Sequence, residues 1–439
     1  MKWPAVVALC AAAVHAEEAG PFWPVQSDRW ALGAQITVIP QWHPGFHAAY
    51  TGANSLRPEA EIATSTTGTL ALGVVPWTGA LVVLAPEMGA GEGLSGVVGA
   101  GAFPNADIVR VPSLPPAPYI ARAFVSQTLL LRAGSEPPQV ADDEGRFAPG
   151  PGRLGGPAPD SLRVELAAGK FGINDVFDLS DASNDPHHRF LNWALVNQGA
   201  WDYCADVRGY TWAAVGGIAS RAFALRAGMC LMPTQANGPE LETDLGRANA
   251  LNVEATVRWV GGSISLLGYR NKSFAGSYRE ALDRGGTPDL AATRAVRAKR
   301  GTSLKVEQEL GAVRAFARLG WNDGRTETFA YSEIDRSLSA GATVAGRPWG
   351  RPRDALGIAG ELGGLSREHA DFLAAGGRGF LLGDGALRYA PEIVLEAFYA
   401  AALLRGIWAS VDAQLLVHPG FNADRGPVPV VAARLHLHL

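Results

Sequence analysis

Apolar and polar side chains alternate along most of this chain, with the period of two that is typical of β-strands. In the stretch LNVEATVRW, residues 251–259, Leu, Val, Ala, Val and Trp lie on one face and Asn, Glu, Thr and Arg on the other. The stretch ARLHLHL, residues 433–439, keeps this alternation to the last residue, although chain ends are usually frayed. The pattern predicts a protein built from strands that each carry one apolar face.

Counting every such segment predicts sixteen strands, and the connections between them differ by parity. Tight turns follow the second, sixth, eighth, tenth and fourteenth strands, whereas most connections after odd-numbered strands are long. The exception, 133–160, is rich in Pro and Gly and is expected to be a flexible insertion. The predicted strands lie near 29–39, 67–75, 80–87, 119–132, 161–171, 209–218, 222–232, 249–261, 263–274, 302–311, 312–322, 332–344, 355–364, 389–403, 407–417 and 428–439.

Alternation alone does not say which face is inside, so a transmembrane barrel, a β-sandwich and a propeller are all compatible with it. The alternation of short and long connections favours an outer-membrane barrel, and no blade repeat of about 40 residues is visible. Aromatic residues near strand ends fit an interfacial belt: Trp30, Trp77, Trp212, Trp259, Trp321 and Trp408. The predicted fold is therefore all-β, a 16-stranded antiparallel transmembrane β-barrel over 29–439 with short helices in inward-folded loops.

The first residues read as an export signal, which further favours the barrel. Lys2 supplies the positive charge, an apolar run follows, and Val14-His15-Ala16 is a small-x-small cleavage motif. We expect a signal peptide over 1–16, cut after Ala16, and an N-terminal segment over 17–28. Cys10 raises a lipoprotein alternative, but the bulky residue before it makes a poor lipobox. No later apolar stretch approaches the about 20 residues of a membrane-spanning helix.

Composition limits the partners and the covalent chemistry. A net charge of −4 implies no broad electrostatic attraction to nucleic acid. Cys204 and Cys230 remain after signal cleavage, and an oxidising compartment would permit a bridge. Pairing of 209–218 with 222–232 places Cys230 opposite residues near 209, so two free buried thiols are the simpler expectation.

Two segments outside the strands are expected to contain helices. In 172–208, Asp185-Pro186 predicts a helix start, and the following HHRFLNWALVNQ should run for about three turns to Gly199. In SREHADFLAAGG, Ser366 is the expected N-cap and Gly376 lies near the C-cap. Such helices have no lipid to face, so we expect them to pack over or into the barrel mouth.

Several blocks of the sequence resemble the carbohydrate-selective porin family of Gram-negative outer membranes, the OprB-like porins. These blocks are HPGFHAAYTGANSL, GKFGINDVFD, FLNWALVNQGAWDYCADVRGYTW, DFLAAGGRGFLLGDGALRY and HPGFNADRGPVPVVAARLHLHL. The resemblance runs from about residue 43 to the carboxyl terminus. It implies a 16-stranded barrel through which mono- or small oligosaccharides diffuse passively into the periplasm, without a cofactor or catalysis. The terminal Leu439 departs from the Phe common in such strands, and whether barrels stand alone or form homotrimers is left open.

A sugar-selective passage needs planar hydrogen-bonding groups and aromatic faces that bind weakly enough to permit flux. We expect them on the inserted loop 172–208, as a constriction formed by Asn192, Trp193, Trp201, Asp202, Tyr203, Asp206 and Arg208. Charged residues would face them across the lumen: Arg163, Glu165, Arg226, Glu254, Arg258, Arg314 and Arg318. The alternative is that the loop aromatics pack the loop against the wall and that the charges are only solvated.

Other constellations predict less. Acidic residues of the 172–208 loop, Asp175, Asp178, Asp181 and Asp185, lack the glycine and closing glutamate of a calcium loop. His436 and His438 share a strand face, but Arg434 beside them repels a cation, so no metal is predicted. No nucleophile elbow, Walker loop or H-E-x-x-H motif occurs, so we expect no enzyme.

Two other functions are compatible with the pattern: a secreted soluble β-rich glycan-binding protein or hydrolase, and a polysaccharide-export barrel. A soluble protein would fractionate without detergent. Sugar-uptake assays would separate import from export.

Overall fold

The computed structural model describes residues 26–27, 29–108, 116–134 and 160–438, and sixteen long strands account for about half of them. The expected signal peptide 1–16, the rest of the amino-terminal region to 25 and most of the 133–160 insertion lie outside the described residues. The strands are β1 Trp30–His43, β2 Glu61–Val74, β3 Ala80–Gly91, β4 Tyr119–Arg132, β5 Leu162–Phe171, β6 Thr211–Ala219, β7 Phe223–Cys230, β8 Asn249–Trp259, β9 Gly262–Ala275, β10 Ala295–Leu310, β11 Val313–Asn322, β12 Arg336–Ala345, β13 Ala355–Gly364, β14 Glu392–Leu404, β15 Ile407–Val417 and β16 Val428–His438.

Every long strand pairs antiparallel with its sequence neighbours, and the last strand closes the sheet on the first. In that seam His436 lies opposite Thr37 and Leu437 opposite Ile36. A two-residue strand, Gln26–Ser27, adds to the start of β1. The predicted 16-stranded barrel is confirmed. Closure removes free strand edges, which is what allows a sheet to cross a bilayer.

The two faces of the strands differ as the alternation predicted. On β16, Leu435 is 43% exposed on the outer face, whereas Arg434 and His436 are buried inside. The predicted aromatic belt is exposed at Trp30, Trp77, Trp212, Trp259 and Trp321. Trp408 is the exception: it belongs to the inward face of β15, and its side chain is buried. The orderly tail of the chain is thus the closing strand of the barrel, with Leu439 outside the described residues.

Apart from the connection 133–161, short turns join the strands at one end of the barrel, and longer loops join them at the other. The tightest turns are 260–261, 311–312 and 405–406. They use Gly261, Gly311 and Gly406 at φ +71°, +67° and +75°, where residues with a side chain are strained. The long connections include 92–118, 172–210 and 365–391. We call the two ends the short-turn end and the long-loop end.

Within the described residues the helices are short, and the three α-helices lie in long loops. They are α1 Trp193–Val196, α2 Tyr278–Asp283 and α3 Arg367–Ala374, with 3₁₀ turns at Leu94–Gly96, Ile173–Asp175, Ala291–Thr293, Arg347–Trp349 and Pro419–Phe421. The helix expected at SREHADFLAAGG is confirmed, because the Ser366 side chain accepts from the His369 N–H. Among the described residues, no helix combines the length and apolarity needed to cross a membrane.

The longer helix expected after Pro186 was wrong. Helix α1 has a single turn and begins at the N-cap Asn192. The N–H groups of Leu191 and Asn192 donate to the Glu396 carboxylate of β14 at 2.6 and 2.9 Å. Because these donors bind the wall, the chain before α1 cannot continue a helical hydrogen-bond ladder.

The expectation of two free thiols was also wrong: Cys204 and Cys230 form a disulfide with their Cα atoms 6.6 Å apart. Strand pairing places Cys230 opposite Ala213, so the hairpin itself does not bring the cysteines together. Cys204 reaches Cys230 from inside, because its loop folds into the barrel.

Candidate functional site

The 172–210 loop lies inside the barrel and is anchored there by its aromatic side chains. Trp193 is 2% exposed; its ring stacks on Tyr331 at 5.4 Å between centroids. Its Nε1–H donates to the Asn105 carbonyl at 2.6 Å. Trp201 is 0% exposed and donates to Asn252 Oδ1 of β8 at 3.1 Å. Both rings are therefore covered by protein on the faces that a sugar would need.

Charged groups fix the same loop to the wall. Arg318 of β11 pairs through Nε with Asp178 Oδ1 at 3.1 Å and donates to the Leu195 carbonyl at 2.9 Å. Both side chains of the pair are at most 2% exposed. Glu254 of β8 accepts the Asp178 N–H at 2.8 Å. A buried charge is tolerated only when it is paired and hydrogen-bonded, so these contacts specify one position for the loop.

Asp202 and Asn192 of the loop also have partners in the wall and in other loops. Asp202 accepts the N–H groups of Phe329 and Ala330, and Lys299 lies 3.5 Å from it. Asn192 donates to the Ala102 carbonyl and to Gln414. Of the predicted set, the structure buries Asn192, Trp193, Trp201, Asp202, Tyr203, Asp206, Glu254 and Arg318. Their observed contacts hold the loop against the wall.

Other predicted residues are less completely covered than the loop anchors. Glu165 of β5 accepts from Arg163 at 2.7 Å and from Arg226 of β7 at 3.2 Å, near the short-turn end. Arg258 of β8 lies near enough to Arg163 and Arg226 to be repelled by them. Arg314 pairs with Asp181 and Glu309. All five predicted residues here, Arg163, Glu165, Arg226, Arg258 and Arg314, are partly exposed.

A cavity of about 280 Å³ separates the inserted loop from strands β1 to β4 and β16. Tyr119 and Arg208 line it toward the long-loop end, and Gln35 and His438 toward the short-turn end. The polar character of its lining is carried by Thr67, Thr69, Glu87, Asp107, Arg122, Asn174, Asp175, Asn184, Asn197 and Tyr210. The cavity thus extends along the barrel between its two ends.

Two tyrosines and two arginines form the long-loop end of this cavity. The rings of Tyr119 and Tyr210 lie 6.2 Å apart, with Arg208 over Tyr119 and Arg122 over Tyr210. Both tyrosine hydroxyls donate to Glu87, Tyr210 at 2.9 Å. The arrangement combines aromatic surface, cationic donors and a carboxylate acceptor within one short stretch.

Ion pairs fix the charges around the cavity. Arg122 makes a two-pronged contact with Asp175 at 2.8 and 2.9 Å, the geometry in which an arginine binds a carboxylate most strongly. In the loop, burial opposes ionisation of Asp185, but His188 and His187 outweigh it and lower its pKa well below the ordinary value. Burial together with Glu87 raises the pKa of Tyr210, so its hydroxyl is a hydrogen-bond donor at neutral pH.

The sequence prediction included Arg208 but missed the tyrosine pair, Glu87 and Arg122. Tyr119 and Arg122 fall in YIARAFVSQTLLL, where alternation is mixed, and Glu87 lies at the end of a predicted strand. Asp175 was considered only as one of several loop acids. Two strong hints were present, since Tyr119 begins a strand and Tyr210 precedes one at the same end of the barrel.

Comparisons with known proteins agree with this architecture. A model of the family described as "Carbohydrate-selective porin, OprB family" matches residues 23–439. A high-pH structure of Pseudomonas putida OprB is similar, with 15% identity, TM-score 0.68 and 94% of each chain covered. An anion-selective porin from Comamonas acidovorans has 8% identity and TM-score 0.50, over 93% of this chain and 99% of that one. No curated protein matches the sequence significantly.

Proposed function

We propose that sugars cross this chain, which belongs to the OprB family of carbohydrate-selective porins, through the cavity beside the inserted loop. As a member of that family, the protein is an outer-membrane carbohydrate channel. The observation that carries the proposal is that one cavity is lined by Tyr119 toward the long-loop end and by His438 toward the short-turn end. In outer-membrane barrels short turns face the periplasm, so this route leads inward.

The chemistry of the lining fits sugar hydroxyls and ring faces. Arg122 and Arg208 are donors, Glu87 and Asp175 are acceptors, and Tyr119 and Tyr210 offer aromatic surface. The acceptors already have protein partners, so a sugar exchanges one hydrogen bond for another and gains little net free energy. Weak binding of this kind permits passive flux. We propose mono- or small oligosaccharides as permeants and no catalytic step.

The buried members of the predicted constriction act in this proposal as anchors. Trp201 holds the loop to β8 through Asn252, and Trp193 holds it to Tyr331 and to the Asn105 carbonyl of two other loops. The loop then narrows the lumen without presenting its own rings. Arg163, Glu165, Arg226 and Arg258 contribute an electrostatic field near the periplasmic exit. Asp206 orders the turn before β6 and thereby supports Arg208 and Tyr210.

The proposal also covers export and assembly. We propose that a signal peptide is cut after Ala16, and mass spectrometry of the mature amino terminus checks that site.

The passage lies inside a single barrel, so we propose that a monomer conducts and that a homotrimer would hold three independent passages. The number of equal conductance steps per inserted particle tests this.

Sugar block of ionic current tests the route directly. Tyr119→Leu removes a ring that lines the cavity. An aromatic contact contributes about 0.5–1.5 kcal/mol, so the half-blocking sugar concentration should rise about 2- to 12-fold. The measurement is single-channel conductance in a planar bilayer with a sugar titration.

Tyr389→Leu is the matched control, because Tyr389 is an exposed tyrosine of the 365–391 loop outside the cavity lining. Its sugar block should equal that of the wild type. Equal block in both variants and the wild type would refute the proposed route, and a failure to form channels would refute the porin function itself.

A further inference from the structure

Three imidazoles meet at the periplasmic end of the cavity. His188 comes from the inserted loop, and His436 and His438 come from one face of β16. One ligand nitrogen from each residue lies within 4.8 Å of the other two. Sequence reasoning recognised the strand pair but could not see that the loop would bring a third histidine to it.

Hydrogen bonds hold two of these rings from their Nδ1 sides. Thr37 Oγ1 lies 2.8 Å from His436 Nδ1, and Asp185 Oδ2 lies 2.9 Å from His188 Nδ1. The third ring is close by, with His438 Nδ1 3.4 Å from His436 Nε2. A carboxylate or hydroxyl on the far nitrogen of a histidine is the arrangement that orients metal-binding imidazoles.

The charge of Arg434 is the main physical objection to a cation here. Its guanidinium donates to the carbonyls of Pro186 and Arg189 and is fixed there. Two carboxylates offset it: Asp185 contacts His187 and His188, and Asp107 lies 3.1 Å from His187 Nε2. Asp107 is far from Arg434 in sequence, so the sequence showed the positive charge beside the histidines but not the carboxylates that offset it.

We propose that His188, His436 and His438 bind a divalent transition cation, for which Zn²⁺ is the probe, and that the bound ion narrows the periplasmic end of the passage. Imidazole nitrogens suit zinc, copper and nickel, whereas magnesium prefers oxygen. Zinc–nitrogen bonds of about 2.0–2.1 Å require the three rings to close in slightly, and a water completes the tetrahedron. Binding of the cation to the three histidines does not depend on the proposed sugar route. The narrowing of the passage by the bound ion rests on that proposed function.

Direct binding is measured first, on the purified full-length protein in detergent. Zn²⁺ titration by calorimetry should show one saturable site, and Co²⁺ should give the absorption of a tetrahedral nitrogen-ligated ion. His436→Asn and His438→Asn should each weaken binding at least about 100-fold, because each removes a ligand. Asp185→Asn, which keeps the hydrogen-bonding shape, should weaken it about 10- to 100-fold.

His47→Asn is the matched control, since His47 is exposed in the loop 44–60 at the opposite end of the barrel. It should bind Zn²⁺ as the wild type does. The absence of a saturable site, or retention of affinity in both β16 variants with folding verified by circular dichroism, overturns the site. Loss of affinity in His47→Asn overturns it as well.

The current provides the second readout. Micromolar Zn²⁺ should reduce wild-type conductance and leave His438→Asn unaffected, and Mg²⁺ should reduce neither. Zinc that binds to the three histidines without changing the current overturns the narrowing and leaves the cation site standing.

Discussion

The barrel interior has two halves that use similar residues differently: near β8 to β11 they are buried, and near β1 to β4 they line a cavity. Against β8 to β11, charges and aromatics of the inserted loop are buried and paired, as in the Arg318–Asp178 contact. Against β1 to β4, charges and aromatics such as Arg122, Glu87 and Tyr119 line a cavity. The same residue types therefore serve as anchors on one side and, in the proposed route, as a permeation surface on the other. What differs is whether the loop covers them.

The largest expected effect tests the anchoring side. Arg318→Ala leaves Asp178 buried with Lys305, 3.9 Å away, as its remaining cation. Removing one partner of a buried ion pair costs about 3–5 kcal/mol, so docking of the 172–210 loop should weaken by that amount. Hydrogen exchange of the loop amides, followed by mass spectrometry in detergent, measures the docking free energy.

Arg314→Ala is the internal comparison, four residues earlier on the same inward face of β11. Its partners Asp181 and Glu309 are largely exposed, so the cost should be at most about 1 kcal/mol. If the two alanine variants changed loop exchange equally, the distinction between a covered and an open half would be lost.

A smaller effect separates anchoring from sugar contact at Trp193. Trp193→Phe keeps an aromatic ring against Tyr331 but removes the hydrogen bond to the Asn105 carbonyl. An unpaired buried carbonyl costs about 1–3 kcal/mol, so loop exchange should accelerate accordingly. The half-blocking sugar concentration should stay at the wild-type value, because the indole does not line the cavity.

Trp212→Phe, on the exposed aromatic belt, should alter neither loop exchange nor sugar block. A several-fold weaker sugar block in Trp193→Phe with unchanged loop exchange would instead support the sequence prediction that Trp193 contacts the sugar.

The barrel could be predicted from the sequence because its signals are local. Alternation on β16 sets Leu435 outward and His436 inward, and turn glycines such as Gly261 mark the short connections. Trp408 was misplaced because an aromatic near a strand end looks the same in sequence whether it faces lipid or lumen.

The interior could not be predicted in the same way, because its contacts join distant segments. The N–H groups of Leu191 and Asn192 bind Glu396, which shortens the helix that Pro186 suggested. The disulfide between Cys204 and Cys230 and the meeting of Asp107 with His187 likewise depend on how the loop enters the barrel. Burial, which decides between anchor and pore surface, is a property of that path.

The smallest expected effect tests the open charges near the periplasmic exit. Glu165 is the carboxylate that accepts from Arg163 and Arg226, with Arg258 close to both arginines. Glu165→Gln keeps the shape and removes the negative charge, so the local field becomes more positive. A partly exposed ion pair contributes about 0.2–1 kcal/mol, which predicts a rise of about 1.4- to 5-fold in chloride over potassium permeability.

The reversal potential in a potassium chloride gradient measures this ratio. Glu240→Gln, an exposed change of equal charge in the loop 231–248, should leave the ratio unchanged. Because Glu165 is partly exposed, its effect should fall as salt rises, whereas loop docking through buried Arg318 should depend little on salt. Equal salt dependence of the Glu165 and Arg318 variants would mean that Glu165 is as well shielded from solvent as Arg318. The distinction between a covered and an open half of the interior would then be wrong.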